Sequence, residues 1–238
     1  MNLDSLLISR DADLLGVLRP SLEKLAVDIE VCTDFKTGNE MMAKRKFDAV
    51  IIDCDDLPRG AELLRALRET QGNSKAVAFA VVNGETTTQD AFQSGANFVL
   101  QKPVTPLHAA RCLNAALNFM VRERRRYFRH PLDMQLRITL PGNQEITATA
   151  TNLSEGGMAV RLLGKVPKNT QARLRFVLPE TNSSLELKGE IAWSDQAGHA
   201  GVRFIEVQQS VQYQLEKWLA DRLQEEMPMK LQGYVALR

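Results

Sequence analysis

The sequence predicts two domains of different class: an N-terminal doubly wound (βα)5 domain, then a six-stranded β-barrel with a C-terminal helix. Three observations support this prediction. Residues 1–121 alternate short apolar runs with helical patterns, whereas residues 122–226 show the two-residue alternation of half-buried strands. The chain has 238 residues, 44% of them hydrophobic, which is enough for two ordinary domains with proper cores.

The first domain is expected to contain five strand–helix units. Its strands are predicted at the apolar runs 5–9, 29–33, 47–53, 75–82 and 97–103, and its helices at 11–26, 40–46, 59–70, 86–96 and 105–126. Asp11 stands near the start of the first helix, with Pro20 inside it, and Thr105 with Pro106 supplies an N-cap and first position for the last. The last helix carries an arginine-rich end across the expected domain boundary.

The second domain is expected to form six short strands and one closing helix. The strands are predicted at 134–140, 146–152, 158–162, 172–178, 184–193 and 200–207, and the helix at 210–226. Alternation predicts that Leu187, Ile191 and Trp193 share the inward face of their strand. Residues 227–238 form a tail, for which the sequence leaves docking and disorder open.

Composition and motifs argue against several functional classes. The net charge is +1, so the chain is not a general nucleic-acid coat, yet five arginines fall within residues 122–129. The three cysteines are scattered, which predicts reduced thiols in a cytoplasmic protein and no zinc site. The sequence shows no apolar run of membrane-spanning length, no signal peptide, no P-loop and no catalytic triad. We therefore expect neither an enzyme nor a prosthetic group.

The first domain resembles a response-regulator receiver domain through FDAVIID at 47–53, GAN at 95–97 and QKP at 101–103. The resemblance places Asp53 at the phospho-acceptor position and Lys102 at the lysine that ends the fifth strand. The family's magnesium-binding acids fall on Ser9 and Arg10. In addition, the hydroxyl residue of strand four falls on Ala80, and the proline after the acceptor comes one position late, at Pro58.

These departures weaken the case for phosphorylation. Phosphoryl transfer to a carboxylate needs a divalent cation, which carboxylates must hold. We therefore expect Asp53 and Lys102 to form a vestigial site without a metal, in a domain that serves dimerisation or docking. An acidic cluster of Asp53, Asp55 and Asp56 keeps residual metal binding open.

The second domain contains RRYFR at 125–129, followed by the turn NLSEGG at 152–157. With Arg125, Arg129, Asn152, Ser154 and Gly157 at the matching positions, the pair resembles the signature of the PilZ family, RxxxR followed by (D/N)xSxxG. PilZ domains are small barrels that bind the bacterial second messenger cyclic di-GMP. The resemblance implies that this ligand is held by Arg125, Arg129, Asn152, Ser154 and Gly157, with Trp193 as a supporting feature. We add Arg124 as a candidate ligand-binding residue, although for Arg124 and Arg126 the sequence leaves phosphate capture and a solvated position open.

These residue types suit a cyclic dinucleotide, which carries two phosphates and two guanines. An arginine fork pairs with guanine O6 and N7 or with phosphate oxygens, and its flat face stacks on a base. The amide of Asn152 can bind a base edge, and the hydroxyl of Ser154 can donate to a phosphate. For Trp193 the sequence leaves a guanine platform and a core position open.

The sequence therefore predicts a cyclic di-GMP-binding regulatory protein. We expect the ligand to close the arginine arm, to change the geometry between the domains and to alter binding of an output partner. Two alternatives are a phosphorylation-responsive or ligand-independent adaptor and, less favoured, a nucleic-acid binder. The output process, the partner, the ligand stoichiometry and the formation of a homodimer are left open.

Overall fold

The computed structural model describes residues 1–162, 164 and 166–235. They form two compact units: residues 1–125 with 226–235, and residues 126–225. The division falls inside the arginine run, between Arg125 and Arg126, and the segment 226–235 belongs to the first unit rather than forming a separate tail. The predicted tail residues 236–238 lie outside the described residues.

The first unit contains a five-stranded parallel sheet in the order β2-β1-β3-β4-β5. Its strands are β1 (Leu3–Ile8), β2 (Val27–Cys32), β3 (Ala49–Asp53), β4 (Val77–Val82) and β5 (Phe98–Gln101). Its helices are α1 (Ala12–Lys24), α2 (Phe35–Lys44), α3 (Gly60–Glu69), α4 (Thr88–Gln93) and α5 (Pro106–Tyr127), the last extending to the division. The predicted doubly wound class is confirmed.

Sequence patterns explain this sheet. Every residue of β3 and β4 is buried, as expected for central parallel strands covered by helices on both faces. Asp11 caps α1 by accepting the backbone N–H groups of Asp13 and Leu14, and the Thr105 hydroxyl accepts that of His108 at the start of α5. Because parallel strands end at one edge, Asp53 and Lys102 come to the same side of the sheet.

The last described helix, α7 (Met229–Val235), packs within the first unit. Leu231 and Val235 are fully buried, and the Lys230 ammonium donates to the carbonyl oxygen of Lys24 at 3.3 Å. Two apolar side chains four positions apart therefore attach this helix.

The second unit is a closed six-stranded barrel in the order β10-β11-β8-β7-β6-β9. Its strands are β6 (His130–Leu140), β7 (Gln144–Ser154), β8 (Gly157–Leu162), β9 (Gln171–Val177), β10 (Ser184–Ser194) and β11 (His199–Ile205), followed by α6 (Gln209–Glu226). Trp218 of α6 packs edge-on against His130, and its indole N–H donates to the Pro179 carbonyl at 3.0 Å. The predicted barrel and closing helix are confirmed.

The prediction that Trp193 shares the inward face of β10 is wrong. Leu187 and Ile191 are buried as expected, but the pairing of β10 with β11 shifts register between Ile191 and Trp193. This bulge turns the indole outward, where it is 49% exposed. None of the helices within the described ranges is long and apolar enough to cross a membrane.

Candidate functional site

A cavity of about 640 Å³ lies on the outer wall of the barrel. Residues of β7, β8, β10 and β11 line it, together with the segment that precedes β6. It brings together five residues that the sequence selected: Arg129, Asn152, Ser154, Gly157 and Trp193. These residues come from three separate parts of the chain, so the closed barrel makes them neighbours.

Arg129 and Asn152 form the polar side of this cavity. The side chain of Arg129 is exposed, and its guanidinium lies 3.5 Å from the Asn152 amide oxygen, at the outer limit of hydrogen bonding. Phe128 is buried and packs beside His130, which fixes the chain just before Arg129. Arg129 thus retains most of its donors for another acceptor.

Ser154 organises the turn between β7 and β8. Its buried hydroxyl donates to the carbonyl oxygen of Gly157 at 2.8 Å, and the carbonyl of Gly156 accepts the backbone N–H of Phe204 at 2.9 Å. This hydrogen bond holds the turn at the cavity, where Ser154 is one of the lining residues.

Gly157 is required by strand packing. A Cβ at this position would overlap the carbonyl oxygen of Val202 and lie 3.4 Å from the Cα of Arg203. The glycine therefore lets β8 pair closely with β11 and does not occupy the left-handed region.

Trp193 forms an apolar wall of the cavity. It pairs with Gly201 across β10 and β11, and a Cβ at Gly201 would overlap the indole ring. The glycine therefore gives the ring room to lie across the neighbouring strand with a half-exposed face. An exposed indole beside arginine and amide groups is suited to stacking on a planar base.

Two further arginines line the cavity: Arg126, for which the sequence left phosphate capture and a solvated position open, and Arg203, which sequence reasoning did not select. Arg203 stands in the segment GVRF at 201–204 of β11, where it is exposed between the buried Val202 and Phe204. Its side chain is 65% exposed and donates to Glu190 at 2.8 Å. A charged residue between two apolar residues, Val202 and Phe204, was the sequence signal that could have selected Arg203.

Arg124 lies elsewhere, in the first unit, where its side chain is buried. Its guanidinium donates to both carboxylate oxygens of Asp48 at 3.0 Å and 2.5 Å, to Asp4 at 2.7 Å and to the carbonyl of Asn2 at 3.0 Å. Asp48 is itself fully buried. This guanidinium is committed to the fold, and we withdraw Arg124 from the ligand site.

Arg125 also belongs to the first unit and is half-buried. Arg129, the other arginine of the RxxxR signature, belongs to the second unit and lines its cavity.

A second charged cluster lies at the carboxyl edge of the parallel sheet. The Lys102 ammonium contacts Asp11 at 2.7 Å, Asp53 at 2.8 Å and Asp56 at 2.5 Å, and the Ser9 hydroxyl donates to Asp53 at 2.7 Å. Burial alone would lower the pKa of Lys102, but hydrogen bonds to the three carboxylates outweigh it and raise that pKa. The hydrogen bond from Lys102 in turn lowers the pKa of Asp11.

This carboxylate trio is a donor set that suits a divalent cation, because its oxygens approach one another within 4.8 Å. The ammonium of Lys102 already supplies a positive charge to the same oxygens. Arg10, at a position where the receiver family has a magnesium-binding acid, instead donates to the Thr33 carbonyl at 2.8 Å. The three carboxylates are therefore suited to a divalent cation, and in this structure the Lys102 ammonium balances part of their negative charge.

Comparison with known proteins identifies both domains. Residues 6–112 match the family model "Response regulator receiver domain", and residues 123–221 match the model "PilZ domain". Transcriptional regulatory protein QseB of Haemophilus influenzae is 30% identical over 144 residues, which cover 58% of this chain and 62% of QseB. The match thus spans less than two thirds of that relative.

Two solved structures illustrate the similarity of each half. The receiver domain of a sensor histidine kinase from Pseudomonas aeruginosa PAO1 is 20% identical, with a TM-score of 0.43, covering 48% of this chain and 97% of the other. The PilZ domain of CeSA from a cellulose-synthesizing bacterium is 18% identical, with a TM-score of 0.34, covering 40% and 98%. The chain thus joins a region that matches the receiver family, residues 6–112, to a region that matches the PilZ family, residues 123–221.

Proposed function

We propose that the protein binds cyclic di-GMP in the barrel-wall cavity and thereby regulates an output partner in the cytoplasm. The observation that carries the proposal is the convergence of Arg129, Asn152 and Trp193 on one cavity of about 640 Å³ in the PilZ domain. A guanidinium, an amide and an exposed indole together match the phosphate, base edge and base face of a guanine nucleotide.

The arginine arm supplies the second half of the proposal. Arg125 stands four residues before Arg129, at the end of α5, and Phe128 anchors the chain between them. We infer that the ligand recruits Arg125 to its second phosphate or guanine, which draws residues 125–129 over the cavity. Small-angle scattering with and without cyclic di-GMP tests whether this closure changes the arrangement of the domains; identical curves would remove the conformational part.

Binding itself is tested by calorimetric titration of cyclic di-GMP into the wild type, Arg125→Ala and Arg129→Ala. Each truncation should cost about 1.5–3 kcal/mol, the scale of hydrogen bonds to a charged group. Arg175→Ala is the matched control, because Arg175 is an exposed barrel arginine that does not line the cavity. A wild type that gives no heat at high micromolar ligand would refute the proposal.

The buried position of Arg124 bears on the nucleic-acid alternative. One guanidinium of the arginine run is already neutralised by Asp48 and Asp4, so the run offers less charge to a duplex than its sequence implies. Competition between cyclic di-GMP and a DNA duplex should therefore favour the dinucleotide, and the reverse preference would support a nucleic-acid binder.

A further inference from the structure

Arg203 occupies a position at the cavity that the RxxxR and (D/N)xSxxG signature does not include. It lies on β11, directly opposite Gly157 of β8 on one side and Glu190 of β10 on the other. Arg203 is exposed between the buried Val202 and Phe204, so it points outward, and it lines the same cavity as Arg129, Asn152 and Trp193. The cavity therefore has a cationic group on β11 in addition to Arg129.

Glu190 holds this arginine through a single contact. One terminal nitrogen of Arg203 donates to a Glu190 carboxylate oxygen at 2.8 Å. The Glu190 side chain is 23% exposed, whereas that of Arg203 is 65% exposed, so a larger fraction of the arginine side chain is open to solvent. Glu190 is not among the residues that line the cavity. The Glu190 carboxylate thus accepts a hydrogen bond that the Arg203 guanidinium could equally donate to a phosphate.

We propose that Arg203 is a further ligand-contacting residue, which donates to a phosphate of cyclic di-GMP, and that Glu190 is its internal competitor. This inference rests on the proposed function. On binding, a phosphate oxygen replaces the Glu190 carboxylate as the acceptor of the Arg203 hydrogen bond. The ion pair in the free protein therefore lowers the affinity for cyclic di-GMP while it orients the Arg203 side chain. Removing the arginine weakens binding, while removing only the charge of its competitor strengthens it.

The barrel contains a matched control pair. Arg175 and Glu186 also face each other across two antiparallel strands, β9 and β10, and form an exposed ion pair at 2.6 Å. Neither residue lines the cavity. Arg175→Ala and Glu186→Gln therefore make the same chemical changes in a cross-strand pair outside the proposed site.

The test is calorimetric titration of cyclic di-GMP into the full chain at low salt. Arg203→Ala should bind about tenfold or more weakly, as expected for loss of a hydrogen bond to a charged group. Glu190→Gln should bind about two- to fivefold more tightly, the scale of an exposed ion pair, with a smaller gain at high salt. Both control variants should match the wild type.

The double variant Arg203→Ala/Glu190→Gln separates competition from a general electrostatic effect. If Glu190 acts through Arg203, the gain from Glu190→Gln disappears in the Arg203→Ala background. A persistent gain would overturn the competitor role. Wild-type binding with unchanged affinity in Arg203→Ala would overturn the whole inference while leaving the proposed function standing, whereas a wild type that does not bind would refute the proposed function itself.

Discussion

The two domains use positive charge in opposite ways. In the receiver domain, Lys102 contacts three carboxylates and Arg124 contacts two, so each cation is neutralised by the fold. In the PilZ domain, Arg129 and Arg203 are exposed at a cavity, and the pairing of Arg203 with Glu190 is at the surface. The first arrangement serves stability, whereas the second leaves donors for an anionic ligand.

The arginine run contains both arrangements within six residues. Arg124 is 5% exposed, while Arg129 is exposed and lines the cavity. Burial of a guanidinium is tolerated only with partners that match its charge and its donors, which Asp48 and Asp4 provide. A basic run in a sequence is therefore not evidence that all its charges face one ligand.

The largest loss of stability is expected on removing the carboxylate partner of Arg124, the more deeply buried of the two neutralised cations. Asp48→Ala leaves Arg124 without its bidentate partner and should lower the free energy of unfolding of the receiver domain by about 3–5 kcal/mol. Urea denaturation followed by far-ultraviolet circular dichroism measures the loss. Both tryptophans lie in the PilZ domain, so their fluorescence reports that domain separately.

Glu186→Ala is the control for this variant, since it breaks an exposed ion pair and should leave both transitions in place. If Asp48→Ala unfolds at the same urea concentration as this control, Arg124 is not a structural residue and returns to the list of candidate ligand contacts.

The next largest loss of stability is expected in α7, the C-terminal helix that belongs to the first unit. Leu231→Ala removes a fully buried side chain of α7 and should cost the receiver domain about 2–4 kcal/mol. Met229→Ala, in the same helix at a position 87% exposed, should cost little. Equal stability of the two variants would show that α7 does not contribute to that domain.

A smaller effect is expected at Lys102, whose pairs are nearer the surface. Lys102→Met leaves Asp11, Asp53 and Asp56 without their shared cation and should cost about 1–3 kcal/mol at pH 7. The pKa of Asp11 is lowered in the folded wild type, so its stabilisation is present above the unfolded pKa and is lost as pH falls through the folded pKa.

The difference between wild type and Lys102→Met should therefore narrow as pH drops below about 4, near the unfolded pKa of an aspartate. Magnesium should also stabilise Lys102→Met more than the wild type, because the trio then has no internal cation. A difference that is independent of pH and magnesium would show that Lys102 acts by packing alone.

The fold was predictable because the sequence shows the hydrophobic periodicity of its strands and helices, and the turn residues between them. Fully apolar runs such as 47–53 identify covered parallel strands, and alternating runs such as 172–178 identify barrel strands. Most of the site followed from the signature residues Arg129, Asn152, Ser154 and Gly157, which the barrel brings to one cavity.

The features of the site that the sequence did not predict depend on tertiary structure. A bulge between Ile191 and Trp193 reversed the face of the tryptophan, and no local pattern marks a bulge at that point. The partners of Arg124 lie 76 and 120 positions away in the chain, so its burial was not visible in the run itself. The contact of Gly157 with Val202 of β11 was likewise not visible in the sequence, which indicated only a glycine at the cavity.

The most direct measurement follows the two indole N–H signals of the protein by nuclear magnetic resonance during a titration with cyclic di-GMP. Trp193 lines the cavity, whereas the indole of Trp218 is buried and bonded to the Pro179 carbonyl, so it is an internal control. The account predicts that the Trp193 signal shifts with ligand and the Trp218 signal stays in place. Equal shifts of both signals, or no shift of either at saturating ligand, would contradict it.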